Sequence, residues 1–397
     1  MSGYLTRIKT KIPYSDKEVD IAVNGKTLIL IGGNGCGKTQ LLSHVYKKLH
    51  DRVVEKDNFS IEQLQQLISS YEQAIERSGP TNRSYGSWVK SLEEAKKQME
   101  EQENPSIDLY DLEDFVLKYK ELSAVLLQFE AGRKSDILKP YSVSPIESLK
   151  EKDLHTVSHS HEQKTISSIF EEVLLTSIAN QAFSESKKIN NNPEEAKRIE
   201  RWFNKLEADL QDLFEDDELK LVFKPDSFSF KIHQPNRIPY TFQTLSSGFS
   251  SIMAVYADLI AKVSLRSIDP EELTGVVMID GIDAHLHVTL QKKILSFLTR
   301  AFPKVQFIVT THSPFVVSSV DDAVIYDLSK LEQVEDLSMY SYEAILEGLF
   351  GVLPISNLLQ QNIEALAKLS EKHSINLDEV QPLLGKLPQD EDSLDSE

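Results

Sequence analysis

The sequence predicts an α/β fold in which a mixed sheet is flanked by helices and interrupted by a helical insertion. Two apolar runs and one change of period predict it. Residues 27–31 (Thr-Leu-Ile-Leu-Ile) and 275–279 (Gly-Val-Val-Met-Ile) are short, β-prone and unbroken by charge, the pattern of strands buried on both faces. Between them, from about residue 51 to 102, apolar residues return every three or four positions among Glu, Gln and Lys, which is helical spacing.

Taken in order, residues 4–8 and 19–23 alternate apolar and polar side chains, as half-buried strands do. Asn24-Gly25 is a hairpin signal, so the chain is expected to open with a small antiparallel element that turns there into strand 27–31. Residues 40–49 read as a helix. Ile61, Leu64, Leu67, Ile68, Tyr71 and Ile75 mark another, which Ser78-Gly79-Pro80 ends. A further helix over about 87–102 completes an antiparallel helical hairpin, which reads equally as a solvated decoration or as a partner-docking arm. Residues 122–129 read as a buried strand. Residues 134–166 are polar and read as a loop; its His155, His159 and His161 lack an accompanying cysteine and read as solvated rather than metal-binding. Helical patterning returns over 166–180 and 193–214, and 219–224 with 227–233 read as a strand pair. A strand is expected over 323–326, helices over 342–350 and 355–372, and a disordered acidic tail over 389–397. The expected organisation is a core of 1–50 and 219–330, with a mainly helical insertion of 51–218 that lends the core one strand near 122–129. A C-terminal helical region of 331–388 precedes the tail.

Composition bounds the function. A chain of 397 residues, 40% hydrophobic, can bury a sizeable core. No apolar run approaches the length of a membrane span, and the N-terminus lacks the apolar stretch of a signal peptide, so no membrane partner and a cytoplasmic location are expected. Cys36 is the single cysteine, which excludes an intrachain disulfide. The formal charge of −19 disfavours a surface that binds phosphate backbones everywhere, while leaving room for a local basic groove or a basic partner.

The chemistry begins at Gly32, Gly33, Asn34, Gly35, Cys36, Gly37, Lys38 and Thr39, which fit G-x-x-x-x-G-K-[ST] without a mismatch. A buried strand before it and a helix after it are the context that gives this motif meaning. Glycines let backbone N–H groups face a polyphosphate, and the helix N-terminus, with Gln40 next in line, adds favourable partial charge. Lys38 would reach the β- and γ-phosphates and the Thr39 hydroxyl would hold Mg²⁺. The motif predicts a P-loop NTPase fold and a nucleoside triphosphate as ligand. Asp280 ends its apolar strand as a carboxylate delivered to the Mg²⁺ shell should. Leu245, Ser246, Ser247 and Gly248 precede an apolar helix, offering hydroxyls and free N–H groups as a second phosphate-binding end.

Together with Val309-Thr310-Thr311-His312-Ser313-Pro314 and Asp280-Gly281-Ile282-Asp283-Ala284-His285-Leu286-His287, these motifs resemble the ABC-type ATPases, and within them the SMC-like and OLD-like branch. The resemblance covers about 1–50 and 219–330 and implies ABC-type architecture. It implies that Leu245–Gly248 contact the γ-phosphate held by the phosphate loop of a second copy, so that ATP joins a homodimer or a higher homo-oligomer. It further implies that Asp283 and Ala284 lie in the loop crossing between the two sites, and that His312 senses the γ-phosphate or positions water. His285 and His287 read as structural residues at a helix start, and Gln128 is a weak counterpart of the family's lid-loop glutamine.

One departure stands out. The family places a glutamate after the strand aspartate, where this chain has Gly281. A missing positioned base costs ~10²–10⁴-fold in rate. Three readings stay open: Asp283 or His312 takes over part of the role, hydrolysis is slow and the ATP-held dimer is the working state, or the residue is an engineered substitution. The leading functional expectation, again from the resemblance, is an ATPase subunit of a bacterial anti-phage system that controls a separately encoded effector nuclease, HNH or TOPRIM in type, with nucleic acid reached through the complex. The alternatives are an SMC-like DNA-repair ATPase and a non-hydrolysing ATP-dependent scaffold.

Overall fold

The computed structural model describes residues 3–54, 61–80, 82–103, 106–158 and 165–334, together with Ile345. The chain divides into two units, Met1–Asp336 and Leu337–Glu397, and all described strands and helices belong to the first. Ile345 apart, the helices expected over 342–350 and 355–372 lie outside the described residues, as do the tail 389–397, His159 and His161.

Strands β1 (Leu5–Lys11) and β2 (Glu18–Ala22) pair antiparallel, with Val19 and Ile21 of β2 facing inward. The next strand, β3 (Thr27–Ile31), corrects the hairpin expectation. The Asn24-Gly25 turn forms, with φ of 54° and 73°, but it delivers β3 into a different sheet. Burial is the reason: Leu28, Ile29, Leu30 and Ile31 are all buried, and a strand covered on both faces belongs inside a sheet clothed by helices.

Helix α1 (Lys38–Val53) follows the glycine loop, and α2 (Ile61–Ser78) packs on α3 (Tyr85–Glu103) as a helical hairpin. An ion pair between Lys48 and Glu101 ties α3 to α1. Strand β4 (Ile107–Leu109), three residues long and too short to show a period, adds antiparallel to β1. After α4 (Leu112–Lys120) comes β5 (Ala124–Phe129). Residues 134–166 are not all loop, because α5 (Ile146–Ser158) is a helix and carries His155. Its pattern is faint: Leu149 and Asp153, four residues apart, are buried, and one of them is an aspartate.

Helices α6 (Phe170–Glu185) and α7 (Pro193–Phe214) precede a two-stranded hairpin of β6 (Lys220–Lys224) and β7 (Ser229–His233). Helix α8 (Ser247–Arg266) leads to β8 (Thr274–Ile279), then α9 (Val288–Gln291), α10 (Ile294–Ala301) and β9 (Val305–Thr310). Helix α11 (Pro314–Val317), β10 (Ala323–Asp327) and β11 (Glu332–Val334) close the unit, so the region expected to be helical from 331 opens with a strand. The central sheet runs β11-β10-β3-β9-β8-β5, parallel except for β11. It is a mixed sheet flanked by helices with a helical insertion, the α/β P-loop fold the sequence predicts. Leu28 and Leu30 of β3 share a core with Ile8 and Ile21 of the small sheet, Leu41 and Val45 of α1, and Phe115 of α4.

By length and composition alone α8 is long and apolar enough to cross a membrane, which corrects the reading that no apolar run approaches that length. It lies inside the fold, with residues 251–265 buried without a break. Two of its charges are met there by one carboxylate of α5: Asp153 accepts from Lys262 Nζ at 2.9 Å and from Arg266 Nε at 2.7 Å.

Candidate functional site

The carboxyl ends of β3, β8 and β9 converge on one crevice, the position where open α/β sheets hold ligands. From β3 the chain turns through the glycine loop into α1. Gly37 caps that helix at φ 104°, and a β-carbon there would stand 2.8 Å from Ile12 Cγ2, so only glycine fits. No side chain caps α1, which leaves the first-turn amides of Lys38, Thr39 and Gln40 facing the loop's concavity. Lys38 is buried and folds over the loop, its Nζ donating to Gly32 O at 2.8 Å and Gly33 O at 3.0 Å, with Cys36 Sγ 3.8 Å away. Asn34, Gly35, Thr39 and Gln40 are exposed.

Asp280, one residue past β8, gathers the crevice. Its Oδ2 accepts from Thr39 Oγ1 at 2.8 Å and its Oδ1 from Thr310 Oγ1 at 2.5 Å. Thr310 Oγ1 in turn accepts from Gly281 N at 2.7 Å. Beside it, Asp283 Oδ1 accepts from Thr311 Oγ1 at 2.6 Å and from the His312 backbone N–H at 3.3 Å. The His312 imidazole is exposed at this edge. Partial burial, then the Lys38 ammonium, push its pKa below the ordinary 6.5 against the opposing pull of Asp283 and Asp280, so the ring is neutral at neutral pH.

Two further residues meet this site that no sequence motif singles out. Ser329, in the turn after β10, accepts from Gly33 N at 2.9 Å. Arg133, four residues past β5, is buried and donates to the backbone carbonyls of Asp280 (2.8 Å), Gly281 (3.2 Å) and Ile282 (2.9 Å). Both act across long stretches of chain, and no local pattern marks either. Thr310 stands inside a motif that assigns it no role. Gln128 is buried near the end of β5, and its Nε2 donates to Ser43 Oγ of α1 at 3.1 Å.

The Leu245–Gly248 segment meets the far end of the loop that begins at Asp280, against His285 and Leu286. Ser246 caps α8 without a side-chain bond, Ser246 and Ser247 are exposed, and Gly248 is buried with His285 O 3.1 Å from where a β-carbon would stand. The segment borders a cavity of about 270 Å³ shared with Phe214, His285 and His287. Among the described residues no hydrogen bond joins it to the phosphate loop of the same chain. His287 caps α9, its ring accepting from Thr289 N.

A family model described as "AAA domain, putative AbiEii toxin, Type IV TA system" matches residues 54–318, more than half of the chain. The chain belongs to this AAA domain family. The "Retron Ec83 probable ATPase" of Escherichia coli is 36% identical over 123 residues, 30% of this chain and 23% of that protein. The "Septu protein PtuA" of Bacillus mycoides (strain KBAB4) is 28% identical over 200 residues, 47% of this chain and 27% of that protein. The aligned stretches thus span about a quarter of those two relatives' own length. Among solved structures, the SMC head domain from Thermotoga maritima matches with a TM-score of 0.36 at 12% identity, covering 81% of this chain and 94% of that one.

Proposed function

We propose that this AAA-family chain binds ATP with Mg²⁺ and acts as the ATPase component of an anti-phage system. The observation that carries the reading is the Asp280 carboxylate, held between the Thr39 hydroxyl of the phosphate loop and Thr310 of β9. Hydroxyl and carboxylate oxygens are the hard donors that Mg²⁺ takes, and these two meet at the loop where phosphates would bind, so the residues fit the ion. When bound, Mg²⁺ neutralises phosphate charge. Thr39 and Asp280 would hold it, Lys38 would turn from its carbonyl partners to the phosphates, and the α1 amides would face the same charge. His312, neutral and within the electrostatic reach of Lys38, would contact a terminal phosphate or a water. Asp283 is oriented by Thr311 beside it. Gly281 supplies no base, which supports slow turnover and an ATP-bound working state.

The exposed hydroxyls of Ser246 and Ser247, unattached to their own phosphate loop, support completion of the site by a second copy. The retron and Septu relatives support the defence role. A separately encoded effector nuclease of HNH or TOPRIM type as partner and a cytoplasmic location complete the proposal and rest on the family resemblance. A non-hydrolysing ATP switch is the second reading, favoured by Gly281. The test is mass measurement with and without Mg·ATP, alone and with the neighbouring gene product, beside phosphate release. ATP-dependent growth to at least a dimer, lost in Lys38→Ala and in Ser247→Arg, is expected. A mass unmoved by ATP overturns the dimer, absence of ATP binding overturns the whole reading, and turnover well above Lys38→Ala removes the non-hydrolysing alternative.

A further inference from the structure

We propose that Arg133 is a positioning residue that sets the backbone of the loop carrying Asp280 and Asp283, a role that rests on the nucleotide reading above. The guanidinium is a planar fork, and here its two ends span three consecutive carbonyls. Nη1 serves Asp280 O at 2.8 Å and Gly281 O at 3.2 Å, with Glu130 O at 3.3 Å on its own turn, and Nη2 reaches Ile282 O at 2.9 Å. Three carbonyls turned to one cation fix the peptide planes between them, and one of those residues, Gly281, is held at φ 48°.

The surroundings argue against a role in packing alone. Arg133 is 8% exposed and, among the described residues, has no ion-pair partner; its Nε has no hydrogen-bond partner. Burying a cation on carbonyl dipoles is a costly way to fill space, and burial pushes its pKa down to about 10 while Asp283 and Asp280 draw it back. The same turn makes a second contact with the loop, for the Ala131 side chain lies against Gly281. Segment 130–133 therefore grips the loop by its carbonyls and closes the space beside it. The two carboxylates flanking the gripped peptides are those bonded to Thr39, Thr310, Thr311 and the His312 amide. If the grip is lost, the carboxylates stay in the chain but their directions are no longer set.

The test compares the full chain with Arg133→Met, Arg133→Lys and Arg133→Ala. ATP binding with and without Mg²⁺, kcat and KM for phosphate release, and amide hydrogen exchange over 280–286 are measured on each. Expected are an affinity for ATP without Mg²⁺ within about threefold of wild type, a weaker gain on adding Mg²⁺, a kcat at least about tenfold lower, and exchange faster by about tenfold or more confined to that loop. Millimolar guanidinium is expected to restore part of the rate of Arg133→Ala and none to Arg133→Lys. Unchanged loop exchange and kcat overturn the proposal, as does a loss spread evenly over affinity, rate and exchange throughout the chain without guanidinium rescue. Failure of the wild type to bind ATP overturns the nucleotide reading instead; the exchange comparison needs no nucleotide and still decides what Arg133 does to the loop.

Discussion

The Ala131 Cβ lies 3.1 Å from the point where Gly281 would carry a β-carbon, and Gly281 itself sits at φ 48°. Any side chain at 281 meets both a left-handed backbone and a crowded neighbour. The left-handed conformation costs a non-glycine residue about 1–2 kcal/mol, and crowding adds to it. Gly281→Glu is therefore expected to lower unfolding free energy by about 1–3 kcal/mol without raising turnover, as read by urea denaturation and phosphate release. Adding Ala131→Gly should recover the steric part and leave the backbone part.

Thr310 is expected to matter through its hydroxyl rather than its shape. It donates to Asp280 Oδ1 and accepts from Gly281 N, so Thr310→Val leaves two buried or half-buried polar groups without a partner. The loss should be about 1–3 kcal/mol of stability with weakened Mg²⁺-dependent ATP binding. Thr310→Ser should retain most of both. Denaturation midpoints and a Mg²⁺ titration of ATP binding check the pair.

The protonation of His312 gives a pH dependence with a definite sign. Its folded pKa lies below the unfolded value near 6.5 because of burial and Lys38, so the unfolded chain takes up the proton first as pH falls. The stability this neutral ring contributes is present above about 6.5 and is lost as pH drops through the folded value. In Lys38→Ala one cause of the depression is gone, and the His312 ring resonance should titrate at higher pH than in the wild type. A titration unmoved by that substitution would contradict the placement of Lys38 beside the ring.

Asp153 answers two buried cations, Lys262 and Arg266, from another helix. Burial alone would raise its pKa, but the two cations overcome that and hold it below the ordinary carboxylate value. The stability it contributes is present above the unfolded pKa near 3.8 and is lost as pH falls through the lower folded value. Asp153→Ala leaves Lys262 with Asp258 as its remaining carboxylate and Arg266 with backbone carbonyls only, and is expected to cost about 3–5 kcal/mol. Acid and urea denaturation of the wild type and this variant measure both effects.

The strands under the site are legible in the sequence because they are buried on both faces. Residues 27–31 and 275–279 are apolar almost throughout, and their ends carry the loop and Asp280. The turn at Asn24-Gly25 is legible as a turn but not as a change of sheet, since turn chemistry is local and sheet membership is decided by what covers the strand. Helix α5 is hidden in the sequence because one of the inward positions among its described residues is Asp153, whose partners lie 109 and 113 residues away. The site divides in the same way. Lys38, Thr39 and Asp280 belong to local patterns, whereas Arg133 reaches carbonyls 147 to 149 residues ahead and Ser329 meets Gly33 across 296. Nothing within reach of a period or a short motif marks such contacts.

The bonds around the phosphate loop also set a rule of competition. Gly33 N is held by the Ser329 hydroxyl, and the Lys38 ammonium by the Gly32 and Gly33 carbonyls. A polyphosphate entering there must displace a neutral hydroxyl from one donor and two carbonyls from the other, so hydrogen bonds are exchanged one for one. What distinguishes the incoming ligand is its charge. Affinity at this loop should therefore rise with the number of negative charges near Lys38 and decline with added salt, making the loop a counter of phosphates more than a reader of shape.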